Sequence, residues 1–305
     1  MYEPSGRNRA GASFVALGMR AEAASLAPGL HVVATPIGNL ADISLRGLST
    51  LAAVDVILAE DTRVTRKLLA HYGITTPLER FDEHVAATGR HQIIERLVAG
   101  ATLALVSDAG TPLVSDPGFS LVKDVAAEGI AVFAVPGASA LLAGLVVSGL
   151  PSDKFFFEGF LPAREVARRR RIKELENVPG TLVFFEAPHR LAETLQDLVV
   201  VLGGRDAVVA RELTKAFETV RRGTLSELVE RFINEPQPKG EIVILVGPPQ
   251  LGVDAELDLD ARLREAMAGL TVKDAAAVVA AEVGLPKRTV YARAIQLAAA
   301  LKGED

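Results

Sequence analysis

Residues 107–118 read Ser-Asp-Ala-Gly-Thr-Pro-Leu-Val-Ser-Asp-Pro-Gly and directly follow an apolar run, Thr102 to Val106. Carboxylates accept hydrogen bonds from hydroxyl and amino groups, and glycine lets a backbone approach a ligand closely. Asp108, Gly110 and Thr111 therefore form a ligand-binding set at the carboxyl end of a strand, where open α/β sheets hold their ligands. Asp116 and Pro117 read instead as the N-cap and first residue of a helix. Comparable clusters follow other apolar runs: Ala34-Thr35-Pro36-Ile37-Gly38-Asn39-Leu40, Glu60-Asp61-Thr62-Arg63, Glu186-Ala187-Pro188-His189-Arg190 and Arg211-Glu212-Leu213-Thr214-Lys215. Capping explains Asp61, because acidic residues suit a helix N-terminus, but Arg63 in a first helical turn opposes the dipole. Together the clusters exceed what capping requires and point to one site lined by several strand ends.

Other chemistries are excluded. No G-x-G-x-x-G and no G-x-x-x-x-G-K-[ST] occurs, which argues against dinucleotide oxidoreductases and P-loop NTPases. The five histidines lack metal spacing, since His84 and His91 lie seven apart with no third ligand. The absence of cysteine removes disulfides and thiolate zinc sites and fits a reducing, cytoplasmic compartment. The net charge of −5 gives no global nucleic-acid signature, so a polyanion site must be a local patch. Arg164, Arg168, Arg169, Arg170, Arg171 and Lys173 form the one dense basic run, readable as a phosphate-binding surface or as a solvated helix face. No apolar stretch is long enough to span a membrane.

The elements that must position these residues alternate. Strands are expected at 31–35, 55–59, 78–81, 102–106 and 131–135, with helices between them. Continuous apolar runs suit a parallel sheet covered on both faces. The turn-rich Gly149 to Asp153 marks a boundary, after which strands at 154–157, 181–185, 206–211 and 241–246 repeat the theme. The fold class is α/β. Residues 1–28 read as a disordered leader, with Met19 a possible true start; 29–150 and 151–248 as two α/β domains; 249–260 as an acidic linker; and 261–305 as a helical, helix-turn-helix-like tail. In that tail Ala280, Gly284 and Val290 have the spacing of a packed helix pair, with Lys287, Arg288 and Arg293 on or after its turn.

Read in order, the clusters resemble a known family. Pro36-Ile37-Gly38-Asn39-Leu40-x-Asp42, Glu60 to Arg63, Ser107 to Gly118, Pro136-Gly137-x-Ser139-Ala140, Gly159-Phe160-Leu161-Pro162, Glu186-x-Pro188-His189-Arg190-Leu191 and Arg211 to Lys215 are similar to the tetrapyrrole methylase-like family, in its branch of small-subunit ribosomal RNA methyltransferases. The resemblance runs from residue 30 to about 300. It implies two α/β domains with S-adenosylmethionine (AdoMet) in the cleft between them, a homodimer, and methylation of a cytidine ribose 2′-hydroxyl in the decoding centre of 16S rRNA, within the small ribosomal subunit, with neither DNA nor membrane as partner. By motif it assigns cofactor contacts to Pro36, Ile37, Gly38, Asp108, Thr111, Ser139, Ala140, Phe185, Leu213 and Gly240. Glu60, His84 and Glu186 are candidate bases, with Lys215 an electrostatic helper. Arg63, Arg168, Arg169, Arg170, Arg171 and Arg190 are candidate phosphate contacts. One departure is Asp82-Glu83-His84-Val85, where the family commonly has a His-Glu-His-Asn-like run. A tetrapyrrole C-methyltransferase, a non-enzymatic RNA-binding protein and a DNA-binding regulator with an α/β sensor domain are the alternatives.

Overall fold

The computed structural model describes residues 11–82, 89–116, 118–249, 253–283 and 285–302. Ordered structure begins well before residue 29. β1 (Ser13–Ala16) and β2 (Met19–Glu22) form an antiparallel hairpin. Leu17 and Gly18 turn it with φ of 52° and 76°, as a two-residue hairpin loop with two left-handed positions requires. Phe14 is buried in the main core, and the Val15 N–H donates to the Tyr72 carbonyl at 2.8 Å. The expected disordered leader is thus corrected for residues 11–28, and Met19 lies inside a strand. A lone hairpin has little stability of its own. Docking holds this one, and composition carries no sign of docking.

A five-stranded sheet follows: β3 (Gly29–Val33), β4 (Val56–Ala59), β5 (Leu78–Arg80), β6 (Thr102–Val106) and β7 (Val132–Val135). Its order is β5-β4-β6-β3-β7, parallel throughout. α1 (Leu45–Ala53) and α2 (Thr62–His71) cover one face; α3 (Arg90–Val98) and α4 (Phe119–Ala127) cover the other. Successive strand residues point to opposite faces. Ala104 and Val106 pack with Leu48, Leu51 and Leu68, while Leu103 and Leu105 pack with Ile93, Leu97 and Leu121. That double burial is why the strands read as continuous apolar runs. Asp61 caps α2 as expected, its side chain accepting from the Arg63 N–H. Asp116 does not cap α4: Gly118, at φ 119°, occupies that position without a side-chain cap.

α5 (Ala140–Ser148) leads to the second sheet, made of β8 (Phe155–Phe160), β9 (Thr181–Glu186), β10 (Asp206–Arg211), β11 (Thr219–Thr224) and β12 (Ile242–Val246). The order is β11-β10-β12-β9-β8. β8 and β9 are parallel and the other pairings antiparallel, so this half does not repeat the first. β11, absent from the sequence reading, is an edge strand whose Arg-Arg-Gly composition hides its pairing with β10. α6 (Glu165–Leu175), α7 (Leu191–Leu202) and α8 (Leu225–Asn234) cover one face. α8 opens with the expected Thr224–Glu227 capping box, and Gly203 ends α7 at φ 72°. On the opposite face Leu145 of α5 and Ile37 of the β3 loop pack among Val183, Val208, Val243 and Leu245. Arg222 of β11 donates to the Ser148 carbonyl at 2.9 Å and also to that of Val147, tying the end of α5 to this sheet.

Residues 249–305 form a separate compact unit of α9 (Val253–Met267), α10 (Val272–Val283) and α11 (Lys287–Lys302). The expected linker at 249–260 is corrected, because α9 begins at Val253. The unit has its own core, including Leu263, Val279, Ala280 and Val290. Arg293 forms a two-pronged pair with Asp260, at 2.8 Å on both arms, which gives this basic residue a structural role. Gly284 lies outside the described residues. No helix among the described residues is long and apolar enough to cross a membrane.

Candidate active site

The loops after β6, β3 and β7 follow three adjacent parallel strands, so they emerge side by side at one edge of the sheet. They are cross-linked there. Thr35 and Gly110 exchange backbone hydrogen bonds of 2.8 and 3.1 Å. Thr35 Oγ1 also donates to the Ser107 carbonyl, and Thr111 Oγ1 to the Ala138 carbonyl, each at 3.2 Å. Facing these loops is the end of β9, antiparallel to the start of β12, so that Val243 sits opposite Phe185. A cavity of about 360 Å³ lies between, lined by Ile37, Thr111, Ser139, Ala140, Phe185 and Gly240 of the expected set. Val114, Asp116, Phe160, Glu241 and Val243 also line it and were not anticipated.

Pro36, Gly38 and Asp108 line a second cavity of about 280 Å³, together with Lys215. It shares Ile37, Ala109 and Glu241 with the first. Leu213 lines neither; it is buried against Ile37 and Val243 in the core beneath. Asp108 accepts a hydrogen bond from the Asp61 N–H at 3.0 Å, at the start of α2. Lys215 Nζ lies 2.7 Å from Glu212 Oε1 and 3.2 Å from Glu241 Oε2. Burial alone would lower its pKa, but the two carboxylates outweigh that and hold it raised. Lys215 is therefore an ammonium at neutral pH. Its partner Glu212 is held below the ordinary carboxylate range by Lys215 and by the Glu241 N–H. Glu212 and Thr214 both have positive φ, 54° and 67°, a strain that persists only where surrounding structure enforces it.

Asp116 is the functional candidate the sequence reading assigned elsewhere. Its half-buried carboxyl is pushed above the ordinary range mainly by burial, with a hydrogen bond from Ser107 acting the other way and the nearby Asp108 adding to the rise. The loop that aims it into the cavity places Leu113 and Ser115 at φ of 75° and 67°. Neither residue type signals a left-handed position in a sequence.

The expected catalytic carboxylates are distributed differently. Glu186 lines the first cavity, but it is buried and both its oxygens are engaged, by the Ala187 N–H at 2.7 Å and by Thr194 at 2.6 Å. Glu60 follows β4 and lines neither cavity. His84 lies outside the described residues.

The arginine run is corrected. Arg168 is 3% exposed and its Nε sits 2.6 Å from Asp197 of α7. Arg169 pairs with the other oxygen of Asp197 at 2.6 Å and with Glu165. Arg171 forms a two-pronged pair with Glu158 of β8 and also bonds Glu174. These three fasten α6 to its neighbours, leaving Arg170 exposed and without an ion pair among the described residues. Arg63 is paired with Asp61 at 2.6 Å. Arg190 donates to the Leu161 and Pro162 carbonyls and lies 3.4 Å from Glu186. Each therefore has a partner within the fold.

Residues 29–229 match the family described as Tetrapyrrole (Corrin/Porphyrin) Methylases, and residues 253–298 match the RsmI C-terminal HTH domain. The chain is 49% identical over 273 residues to a protein of Mesorhizobium japonicum named ribosomal RNA small subunit methyltransferase I, covering 89% of this chain and 93% of that one. Proteins of the same name from Xylella fastidiosa and Pseudomonas aeruginosa are 52% and 48% identical, over 86% and 88% of this chain and 97% and 96% of theirs. Among solved structures, a diphthine synthase matches with a TM-score of 0.57 and 18% identity over 75% of this chain and 93% of that one. A cobalt precorrin-4 methyltransferase matches with a TM-score of 0.54 and 18% identity, over 72% and 94%. At that identity these two share the fold.

Proposed function

Because the chain belongs to the tetrapyrrole methylase family, in the branch of the proteins named ribosomal RNA small subunit methyltransferase I, we propose that it methylates ribosomal RNA with AdoMet, at the ribose 2′-hydroxyl of a cytidine in the decoding centre of 16S rRNA. The carrying observation is that six residues from five separate sequence segments, Ile37, Thr111, Ser139, Ala140, Phe185 and Gly240, line one cavity. The residues fit AdoMet. Ile37, Val114, Phe160, Phe185 and Val243 offer apolar walls, and Asp116 offers a carboxylate to an amphipathic cation. Gly110, at φ 80°, brings the backbone to the cavity where a Cβ would press on Ile37 at 3.3 Å. Pro36, Gly38 and Asp108 line the adjoining cavity, which shares the Ile37 wall, and Leu213 supports that wall from the core beneath.

When bound, AdoMet supplies a methyl group activated by a sulfonium. What remains for the protein is to hold acceptor and donor in line, an effect that can supply about 7–11 kcal/mol. A base near the acceptor hydroxyl would add about 10²–10⁴-fold. Of the sequence candidates for it, Glu60 lines neither cavity, which leaves His84 as the one to test. The engagement of both Glu186 oxygens makes that residue a positioning group for the 187–190 turn. Lys215, held as a cation, serves as the electrostatic helper. The resemblance that implies a ribosomal acceptor also implies a cytoplasmic homodimer. In support, α5 is apolar on every side, yet Leu142 and Val146, one turn apart, are 50% and 75% exposed. Light scattering should return twice 32.2 kDa.

Calorimetry with AdoMet separates an enzyme from a simple RNA binder. Tritium transfer from labelled AdoMet to small ribosomal subunits, naked RNA and precorrin-like acceptors then separates the enzymes. Label recovered only in a tetrapyrrole would overturn the reading.

A further inference from the structure

We propose that the second cavity receives the acceptor nucleotide in single-stranded form, that Lys67 at its rim holds a phosphate of that nucleotide, and that α2 is the face along which the RNA runs. This rests on the function proposed above and adds the place and form of the RNA.

Three observations carry it. The first is contiguity. A nucleophile must come within about 3–3.5 Å of the carbon it attacks, so the acceptor needs a chamber that shares a wall with the cofactor cavity. The second cavity shares Ile37, Ala109 and Glu241 with the first. The second is chemistry. The cavity lining includes both the Asp108 carboxylate, a hydroxyl acceptor, and the Lys67 ammonium. Leu40 and Val64, 39% and 40% exposed, add apolar surface for a sugar or base. At about 280 Å³ the cavity is on the scale of a single nucleotide. The target residue must enter unpaired and unstacked, as RNA loops and bulges allow.

The third is charge. α2 reads Thr-Arg-Val-Thr-Arg-Lys-Leu-Leu-Ala-His and contains no carboxylate. Arg63 is held by Asp61, but Arg66 and Lys67 are exposed and have no ion pair among the described residues. Both stand one turn from Arg63 on the helix surface. The denser arginine run on α6 is largely neutralised by Asp197, Glu158, Glu165 and Glu174. The unpaired positive charge at the cavity mouth therefore belongs to α2. Lys and Arg that neutralise phosphates release counterions, so a true phosphate contact carries a salt dependence of about 0.7 per charge on a single strand.

The test compares Lys67→Glu, Arg66→Glu and Lys67→Arg with Lys123→Glu, an exposed substitution on α4. Affinity for a fluorescent small-subunit RNA fragment is measured by anisotropy across a salt series with S-adenosylhomocysteine present, and AdoMet affinity by calorimetry. Lys67→Glu should weaken RNA binding by about tenfold or more and lower the log–log salt slope by about 0.7–0.9. Arg66→Glu should do so to a smaller extent, Lys67→Arg should stay near wild type, and AdoMet affinity should be unchanged in all. The proposal is overturned if Lys67→Glu matches Lys123→Glu in affinity and slope, or if the wild type does not bind the RNA. Failure of the wild type to bind AdoMet would instead overturn the proposed function, while the anisotropy arms still decide the role of Lys67.

Discussion

Gly38 lies beneath the stem of Lys215: a Cβ built on Gly38 would stand 2.3 Å from Lys215 Cγ and 2.6 Å from Cε. The first-sheet loop and the Arg211–Lys215 segment therefore meet where a side chain cannot fit, and Gly38 also has a φ of 155° that side chains rarely adopt.

Gly38→Ala should thus cost about 1–3 kcal/mol of stability through backbone strain and forced displacement. It should also lower turnover, because Lys215 is pushed off Glu212 and Glu241. Gly100→Ala shares only the positive φ, 88° with open space around it, and should cost about 1 kcal/mol with activity retained. Urea unfolding of the two variants checks the difference; equal losses would show that the contact with Lys215 is unimportant.

The two arginines at 168 and 170 should behave oppositely. Arg168→Ala leaves the buried Asp197 with only Arg169 as partner, and breaking such a pair costs about 3–5 kcal/mol. Arg170→Ala, at an exposed position without an ion pair, should stay within about 0.5 kcal/mol of wild type. Thermal and urea denaturation would decide this, and a large loss at position 170 would contradict the placement of the run.

Asp116 predicts a pH dependence. Its pKa is raised in the folded state, mainly by burial, so the folded protein binds more protons than the unfolded chain between the ordinary carboxylate pKa and the raised one. Stability must then fall as pH rises through that window, and the penalty is fully present above it. Asp116→Asn can still accept from Ser107. It should be more stable than wild type at neutral pH, and the advantage should vanish below the ordinary aspartate range. Urea midpoints measured across pH would show this; a difference independent of pH would refute it.

Filling the first cavity should separate folding from binding. Ala140 opens α5 and lines the cavity, and leucine is a good helix former. Ala140→Leu should weaken AdoMet binding by more than about tenfold, the equivalent of 1.4 kcal/mol, with little change in Tm. Calorimetry beside thermal unfolding tests it, and undiminished AdoMet affinity would move the cofactor out of this cavity.

What the sequence determined was local. Apolar runs of strand length, each followed by a polar cluster, placed Ile37 and Thr111 at strand ends, because strand burial and loop polarity are written in neighbouring residues; Ser139, Ala140 and Phe185 came from the family resemblance. The caps at Asp61 and Thr224 were legible for the same reason. Tertiary structure decided everything that depends on what stands opposite. Arg168 is a buried strut because Asp197, 29 positions along the chain, faces it. Asp116 points into the cavity because Leu113 and Ser115 take left-handed conformations that their side chains do not advertise. β1, β2 and β11 exist because partners and a docking surface were available to pair and bury them. Charge pairing, strain and docking are properties of contacts between distant segments, and the order of residues alone does not encode which contacts form.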